Sequence, residues 1–198
     1  MQNSTTKVRA LTGTAMLGAV AAVLMYLEFP IPIMPAFVKL DVSELPALIA
    51  SFAYGPVSGV LVCLIKNLIK VPSTSTAAVG ELFNFVMGAL FVGVAGIVYK
   101  RNKTRKGAIV GALLGALVMA VVSVPYNYFI VYPAYVVMYH LPLEAIIGMY
   151  QAINPSVDGL LTCLLVFNLP FTFVKGVLDA VLCFLIYKPL SPILHGRK

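Results

Sequence analysis

Long apolar runs alternate along the chain with short polar or proline-rich breaks. Four runs predict long helices, at about residues 8–28, 56–71, 81–99 and 107–132, and a fifth, at about 170–188, closes the chain. Each approaches the roughly 20 apolar residues that a helix needs to cross hydrocarbon. The run from Glu44 to Tyr54 is equally apolar but short, and Gly55-Pro56 separates it from the next run. Proline lacks a donor N–H and disfavours helix in the residue before it, so the chain is expected to break there.

The basic residues decide how that break is used. They fall in three clusters: Lys7 and Arg9; Lys100, Arg101, Lys103, Arg105 and Lys106; and Lys188, Arg197 and Lys198. If residues 44–71 formed one straight span, the loop at 100–106 would face outside, against the positive-inside rule. Two passes meeting at Gly55-Pro56 put that loop and both termini on the cytoplasmic side. Six passes are therefore predicted, with the 29–43 loop, the 72–80 loop and the 133–169 stretch outside. The 44–54 pass would rise only about 16 Å against a core of ~30 Å. It must tilt, be shielded by neighbours or extend into its flanks. The apolar stretch 143–167 predicts one or two short helices against the bundle. A full seventh span there would carry the C-terminal basic cluster outside.

Composition turns this pattern into a class. The chain has 198 residues, 61% hydrophobic and 11% charged, with a mean hydropathy of +0.98. Soluble domains carry about 25% charged residues, so lipid must be the solvent here. The expectation is an all-α integral membrane protein, a six-helix bundle forming a single transmembrane domain over 1–198. The first apolar run is too long for a signal-peptide core and lacks an obvious cleavage site, so it reads as a retained helix. The net charge of +7 belongs to the positive-inside flanks and gives no reason to expect nucleic acid.

Candidate chemistry is sparse. Cys63, Cys163 and Cys183 lie in apolar runs without a C-x-x-C and read as packing residues. No phosphate loop and no H-E-x-x-H occur, and His140 and His195 are far apart. Neither a catalytic site nor a metal site is expected. Ionisable groups inside spans are costly and usually functional, and here they are Lys66, Lys70, Glu81, Lys175 and Asp179. In the six-pass topology Lys66, Lys70, Glu81 and Lys175 lie towards the outer ends of their helices, with Asn84, Asn127 and Thr172 at similar depth. Glu28, Lys39, Asp41 and Glu44 stand near the outer surface. Together these groups suggest a site open to the outside and capped by the 29–43 loop.

Each group also has a plainer reading. Lys66 and Lys70 could snorkel to the interface. Lys175 and Asp179, at i and i+4, could neutralise each other. Asn84 and Asn127 could be interhelical glue, and Glu81 could simply suit a helix start. Tyr126, Tyr128, Phe129, Tyr132 and Tyr135 could stack on a flat ligand or form an interfacial belt. On the first helix, Ala15-x-x-x-Ala19 and Gly18-x-x-x-Ala22 allow close helix approach, to a partner subunit or within this chain.

Several stretches, taken in order, resemble the riboflavin-specific S components of energy-coupling factor (ECF) importers. They are F-P-I-P-I-M-P at Phe29–Pro35, running into K-L-D-V-S-E-L-P at Lys39–Pro46; F-A-Y-G-P-V-S-G at Phe52–Gly59 with K-N-L at Lys66–Leu68; T-S-T-A-A-V-G-E-L-F-N-F at Thr74–Phe85; Y-N-Y-F at Tyr126–Phe129; and L-P-F-T-F-V-K-G at Leu169–Gly176. The resemblance covers about residues 8–190. It implies a six-helix S-component fold that binds riboflavin near the outer face, and it leaves FMN open as a second ligand. Leu40, Asn127 and Lys175 match positions that contact the flavin in the family. Thr172 stands where asparagine is common, which puts one contact in doubt. The set expected to bind ligand is Leu40, Asp41, Asn84, Asn127, Tyr132, Phe171, Thr172 and Lys175. The resemblance also implies an ECF transmembrane subunit docking on Ala15, Gly18, Ala19 and Ala22, and two cytoplasmic ATP-binding subunits. The alternatives are an S component for another vitamin, a stand-alone carrier, or a small membrane enzyme. The last would need convergent carboxylates or histidines, and only Glu81 and Asp179 are offered, on different helices.

Overall fold

In the computed structural model, residues 4–74, 76–140 and 142–195 are described. Five helical rods are long and apolar enough to cross a membrane: Thr6–Tyr26, Pro56–Ser73, Val79–Arg101, Arg105–Met138 and Leu160–Tyr187. The first is α1 (Ser4–Tyr26). Two short strands, β1 (Phe29–Pro30) and β2 (Lys39–Leu40), pair antiparallel in the first loop, with Phe29 opposite Leu40. The sequence pattern gave no sign of this ribbon, which is only two residues long on each side.

The next two helices form a hairpin. Helix α2 (Glu44–Tyr54) ends at Gly55, and α3 (Pro56–Lys70) begins at once. Gly55 has φ 108°, a conformation that side chains with a Cβ avoid, and Pro56 fits the first helical turn, where no N–H partner is lost. The break expected at Gly55-Pro56 is thus a reversal of direction. A Cβ on Gly59 would lie 2.7 Å from the Ser51 Cβ, so the two helices touch closely near the turn. The 11 residues of α2 remain short for a span. They are shielded: every residue from Glu44 to Phe52 is buried, against α1, α3, α4 and the last helix.

Helix α4 (Val79–Arg101) packs along α5 (Arg105–Tyr126) through a stripe of small residues. A Cβ at Gly111 would meet the Ala95 carbonyl oxygen at 2.7 Å, so that position tolerates nothing larger. The expected end of this rod at residue 132 is corrected. After α5 the helix continues through a π turn (Asn127–Val131) into α6 (Tyr132–Tyr139). Pro125 and Pro133 withdraw donors from the ladder, and the wider turn takes up the mismatch. The last rod is also longer than expected, beginning at Leu160 and not near 170. It comprises α8 (Leu160–Cys163), a second π turn (Leu164–Asn168) and α9 (Leu169–His195). Pro170 reads as a helix start in sequence but lies within this continuous rod. Helix α7 (Leu143–Gln151) is the short helix anticipated between them.

The ends of the bundle differ in charge. At one end Phe52 packs on Tyr99 and Phe184, with ring centroids 5.0 and 6.2 Å apart, and Tyr54 touches the site of Gly13. Arg9, the 100–106 loop and the C-terminal part of α9 therefore share that end. Arg197 and Lys198 lie outside the described residues. At the other end Tyr26 hydrogen-bonds Ser73 at 2.7 Å and Phe83 packs on Tyr126. There α6, α7 and α8 enclose a second small core around Tyr132, Tyr150, Ile146 and Leu164.

Candidate ligand-binding site

The hairpin geometry places Glu44 and Lys66 at the same depth, about eleven residues either side of Gly55. Lys66 Nζ donates to Glu44 Oε1 at 2.6 Å and to Ser43 Oγ at 2.5 Å, and lies 3.3 Å from Asn84 Oδ1 on α4. Lys66 has no exposure at all. A buried ammonium needs such a set of acceptors, so the snorkelling reading fails for Lys66. Lys70 is buried too, donating to the Met25 carbonyl at 3.0 Å and pairing with Glu28 at 2.8 Å. Glu28 also accepts from Lys39 at 2.9 Å. Burial pushes the Glu28 carboxyl up, but the two lysines outweigh it and hold it below its usual range.

Lys175 reaches across from α9. Its ammonium lies 2.9 Å from Asp41 Oδ2 and 3.1 Å from Glu44 Oε2. The first loop, α2 and α9 are joined by that one cation. Asp41 also accepts from the Ser43 N–H at 2.8 Å and from its hydroxyl. Burial raises the Asp41 carboxyl, yet Lys175, Lys66 and these hydrogen bonds hold it well below its ordinary value. The i, i+4 pairing of Lys175 with Asp179, the plainer reading open in the sequence, does not form. Both Asp179 oxygens are buried without a hydrogen-bond partner in the structure, because Lys175 turns towards the loop and α2 instead.

These groups border a cavity of about 190 Å³ at the less basic end of the bundle. Seven of the eight residues expected to bind ligand line it: Asp41, Asn84, Asn127, Tyr132, Phe171, Thr172 and Lys175. Leu40 does not line it. It sits in β2, paired to Phe29, next to Asp41 in the loop. The loop covers the cavity through Phe37 and Val38, and Phe37 packs edge-on against Tyr132 and Tyr150 at 6.3 and 6.2 Å. The volume is below the roughly 300–1,000 Å³ of typical ligand pockets. The first loop supplies Phe37, Val38, Lys39 and Asp41 to the cavity wall.

The aromatic cluster at the end of α5 divides between the two readings open in the sequence. Tyr132 and Tyr135 line the cavity, whereas Phe129 is 71% exposed and Tyr128 is also turned out, as belt residues are. Glu81 lines the cavity and also starts α4, accepting from Thr74 and Thr76 hydroxyls at 2.7 and 2.9 Å. Asn84 accepts across helices from Lys66, while Asn127 bonds its own helix at Ser123 O, 2.8 Å away.

Glu44 and Asn168 are among the site residues that sequence reasoning left out of the ligand set. Asn168 lines the cavity one turn before Thr172, held by Tyr150, which donates to its Oδ1 at 2.7 Å, and near the Tyr132 hydroxyl at 3.4 Å. The i, i+4 spacing to Thr172 would have pointed to it had the last helix been started at Leu160. Glu44 stands in the same K-L-D-V-S-E-L-P stretch as Asp41, and only the hairpin shows that it faces inwards.

Comparison with known proteins fits this geometry. The family model "ECF transporter, substrate-specific component" matches residues 9–187. The chain belongs to the substrate-specific components of ECF transporters. The riboflavin transporter FmnP of Bacillus subtilis is 35% identical over 195 residues, spanning 97% of each chain. The riboflavin transporter RibU of Staphylococcus aureus is 32% identical over 180 residues, which cover 91% of this chain and 89% of that protein. A solved bacterial ECF S component superposes with a TM-score of 0.74 at 31% identity, covering 95% of this chain and 98% of that one. This S component is therefore a multi-pass membrane transport component and not an enzyme.

On α1 of the S component, the four small residues separate. Gly18 and Ala22 face inwards and are buried; a Cβ on Gly18 would lie 2.8 Å from Ile65 on α3. Their small size serves packing within the chain. Ala15 and Ala19 are exposed, in line with Met16, Val20 and Val23.

Proposed function

We infer that this S component captures riboflavin in the cavity from the extracellular side and releases it to the cytoplasm, with an ECF transmembrane subunit and two ATP-binding subunits supplying the energy. The observation that carries this reading is the convergence of Asn84, Asn127, Asn168, Thr172 and Lys175 with Phe37, Tyr132, Tyr135 and Phe171 on one cavity. Riboflavin offers a flat apolar ring system with a donor and acceptor edge and a polyol tail. An aromatic wall with a few amides, a hydroxyl and a cation is the mixture that orients such a molecule. The relatives that resemble this chain over most of its length are named riboflavin transporters, which supports the same ligand.

The orientation follows from charge. Arg9, the 100–106 cluster and Lys188 favour the cytoplasm at one end, which leaves the cavity facing outside and both termini in the cytoplasm. Ala15 and Ala19, exposed on α1, form the face on which the transmembrane subunit docks.

The test is the absorbance spectrum of the detergent-purified protein, followed by titration of riboflavin fluorescence. Co-purified flavin bands or saturable quenching are expected. A colourless protein that leaves riboflavin fluorescence unquenched at micromolar concentrations would overturn riboflavin as the ligand and turn the search to other vitamins.

A further inference from the structure

Asp179 is a buried polar side chain near this site that the reading above leaves without a task. It is 1% exposed, and neither carboxylate oxygen has a hydrogen-bond partner. A carboxyl group without a partner is costly inside a protein, since burial strips its hydration and nothing replaces it. Two features show what would replace it. Asp179 lies one turn along α9 from Lys175, the spacing at which a lysine reaches a carboxylate on its own helix. And Lys175 is at present held elsewhere, by Asp41 on the loop at 2.9 Å and by Glu44 at 3.1 Å.

The loop that carries Asp41 is part of the wall a ligand has to pass. The cavity is about 190 Å³, below the roughly 300–1,000 Å³ of typical ligand pockets, and Phe37, Val38 and Asp41 of that loop line it. Moving the loop takes Asp41 away from Lys175. Without a second acceptor, the ammonium would lose one of its two carboxylates in a water-poor interior, and the barrier to opening would be high.

We propose that Asp179 is a positioning residue for ligand entry and exit: it receives Lys175 when the first loop releases it. Lys175 thus has two berths, one on the closed loop and one on its own helix. The empty state of Asp179 in the closed form offsets part of the cost of opening. This step rests on the reading that a flavin enters this cavity.

The experiment is stopped-flow quenching of riboflavin by the full chain in detergent, comparing the native protein with Asp179→Asn and Asp179→Glu. Asp179→Asn removes the second berth, so the association and dissociation rates should fall together by roughly fivefold or more, with Kd moving far less. Asp179→Glu should restore both. Faster dissociation with unchanged association would mark Asp179 as merely structural and overturn the proposal, as would unchanged rates. A ligand-free measurement separates this from the functional reading and does not need riboflavin. Spin labels at Ile33→Cys and Leu161→Cys, both on exposed positions, report the loop, because the three native cysteines are buried. Two distance populations are expected in the otherwise native chain, with the longer one depleted by Asp179→Asn. One unchanged distribution in both proteins overturns the two-berth arrangement. If the native protein does not quench riboflavin, the flavin reading fails and the label distances still decide the latch.

Discussion

Asp41 of the first loop and Lys175 of α9 lie 134 residues apart in sequence and 2.9 Å apart in space. Their contact ties the cover of the cavity to its inner wall. The Asp41 carboxyl is held well below its ordinary value despite burial. A carboxyl whose folded value is depressed contributes stability that is fully present above its unfolded value and is lost as pH falls through the folded one. The unfolded value is 3.8, so the Asp41–Lys175 contact is complete throughout the neutral and mildly acidic range. The prediction is that Asp41 adds no pH dependence to flavin affinity between about pH 5 and 8. Titrations of the native protein and of Asp41→Asn across that window should run parallel. Curves that converge as the pH drops from 7 to 5 would show that Asp41 titrates there.

The Glu44–Lys66 pair gives a stability prediction. Both side chains are buried, with Lys66 fully enclosed, and Glu44 also meets Lys175. Removing one partner of a buried pair leaves an uncompensated charge, at a cost of about 3–5 kcal/mol. Glu44→Gln and Lys66→Met should each lower the thermal midpoint in detergent markedly. The double variant should lose less than the sum of the two, with a coupling of about 0.5–3 kcal/mol. Additive losses would mean that the pair carries no mutual stabilisation.

What was legible in the sequence follows from what each signal depends on. The long helices and the Gly55-Pro56 reversal are local, and hydropathy with proline chemistry was enough for them. Seven of the site residues could be named because polar groups in apolar runs stand out and because matching stretches fixed Asn127 and Lys175. The partners of those residues were not legible. Lys175 has an acidic neighbour at i+4 in Asp179, a pairing the spacing allows, yet it bonds Asp41 and Glu44 from distant parts of the chain. The far end of the fourth rod and the start of the fifth were misplaced for a different reason. Pro133 and Pro170 stand where the sequence pattern ends one helix and begins the other, and only the π turns at Asn127–Val131 and Leu164–Asn168 show how the rods run on past them.

Charge balance in the cavity wall predicts a preference between flavins. The lysines that line it, Lys39, Lys70 and Lys175, are each already paired with Glu28, Asp41 or Glu44. Glu81 adds a further carboxylate to the wall. Among the described lining residues no lysine is left over for a phosphate, which would have to approach these carboxylates or break an ion pair. FMN should therefore bind about tenfold or more weakly than riboflavin, a difference of about 1.4 kcal/mol or more. Competition titration by fluorescence quenching measures the ratio directly. Equal affinities would show that the phosphate stays outside the cavity.

The exposed alanines of α1 separate binding from transport. Ala15 and Ala19 point away from the bundle, whereas Gly18 and Ala22 pack inside it. A bulky residue on the outward positions therefore has no internal neighbour to displace, but it would hold a docking helix away. Ala15→Trp and Ala19→Trp should leave riboflavin quenching and thermal stability near the native values, while uptake by cells that depend on this transporter falls steeply. Gly18→Trp is the contrasting variant. A Cβ there already crowds Ile65 at 2.8 Å, so the purified protein itself should lose stability. If the Ala15 and Ala19 variants kept full uptake, that face of α1 would not be the docking surface, and the partner subunit would have to be sought on another lipid-facing helix.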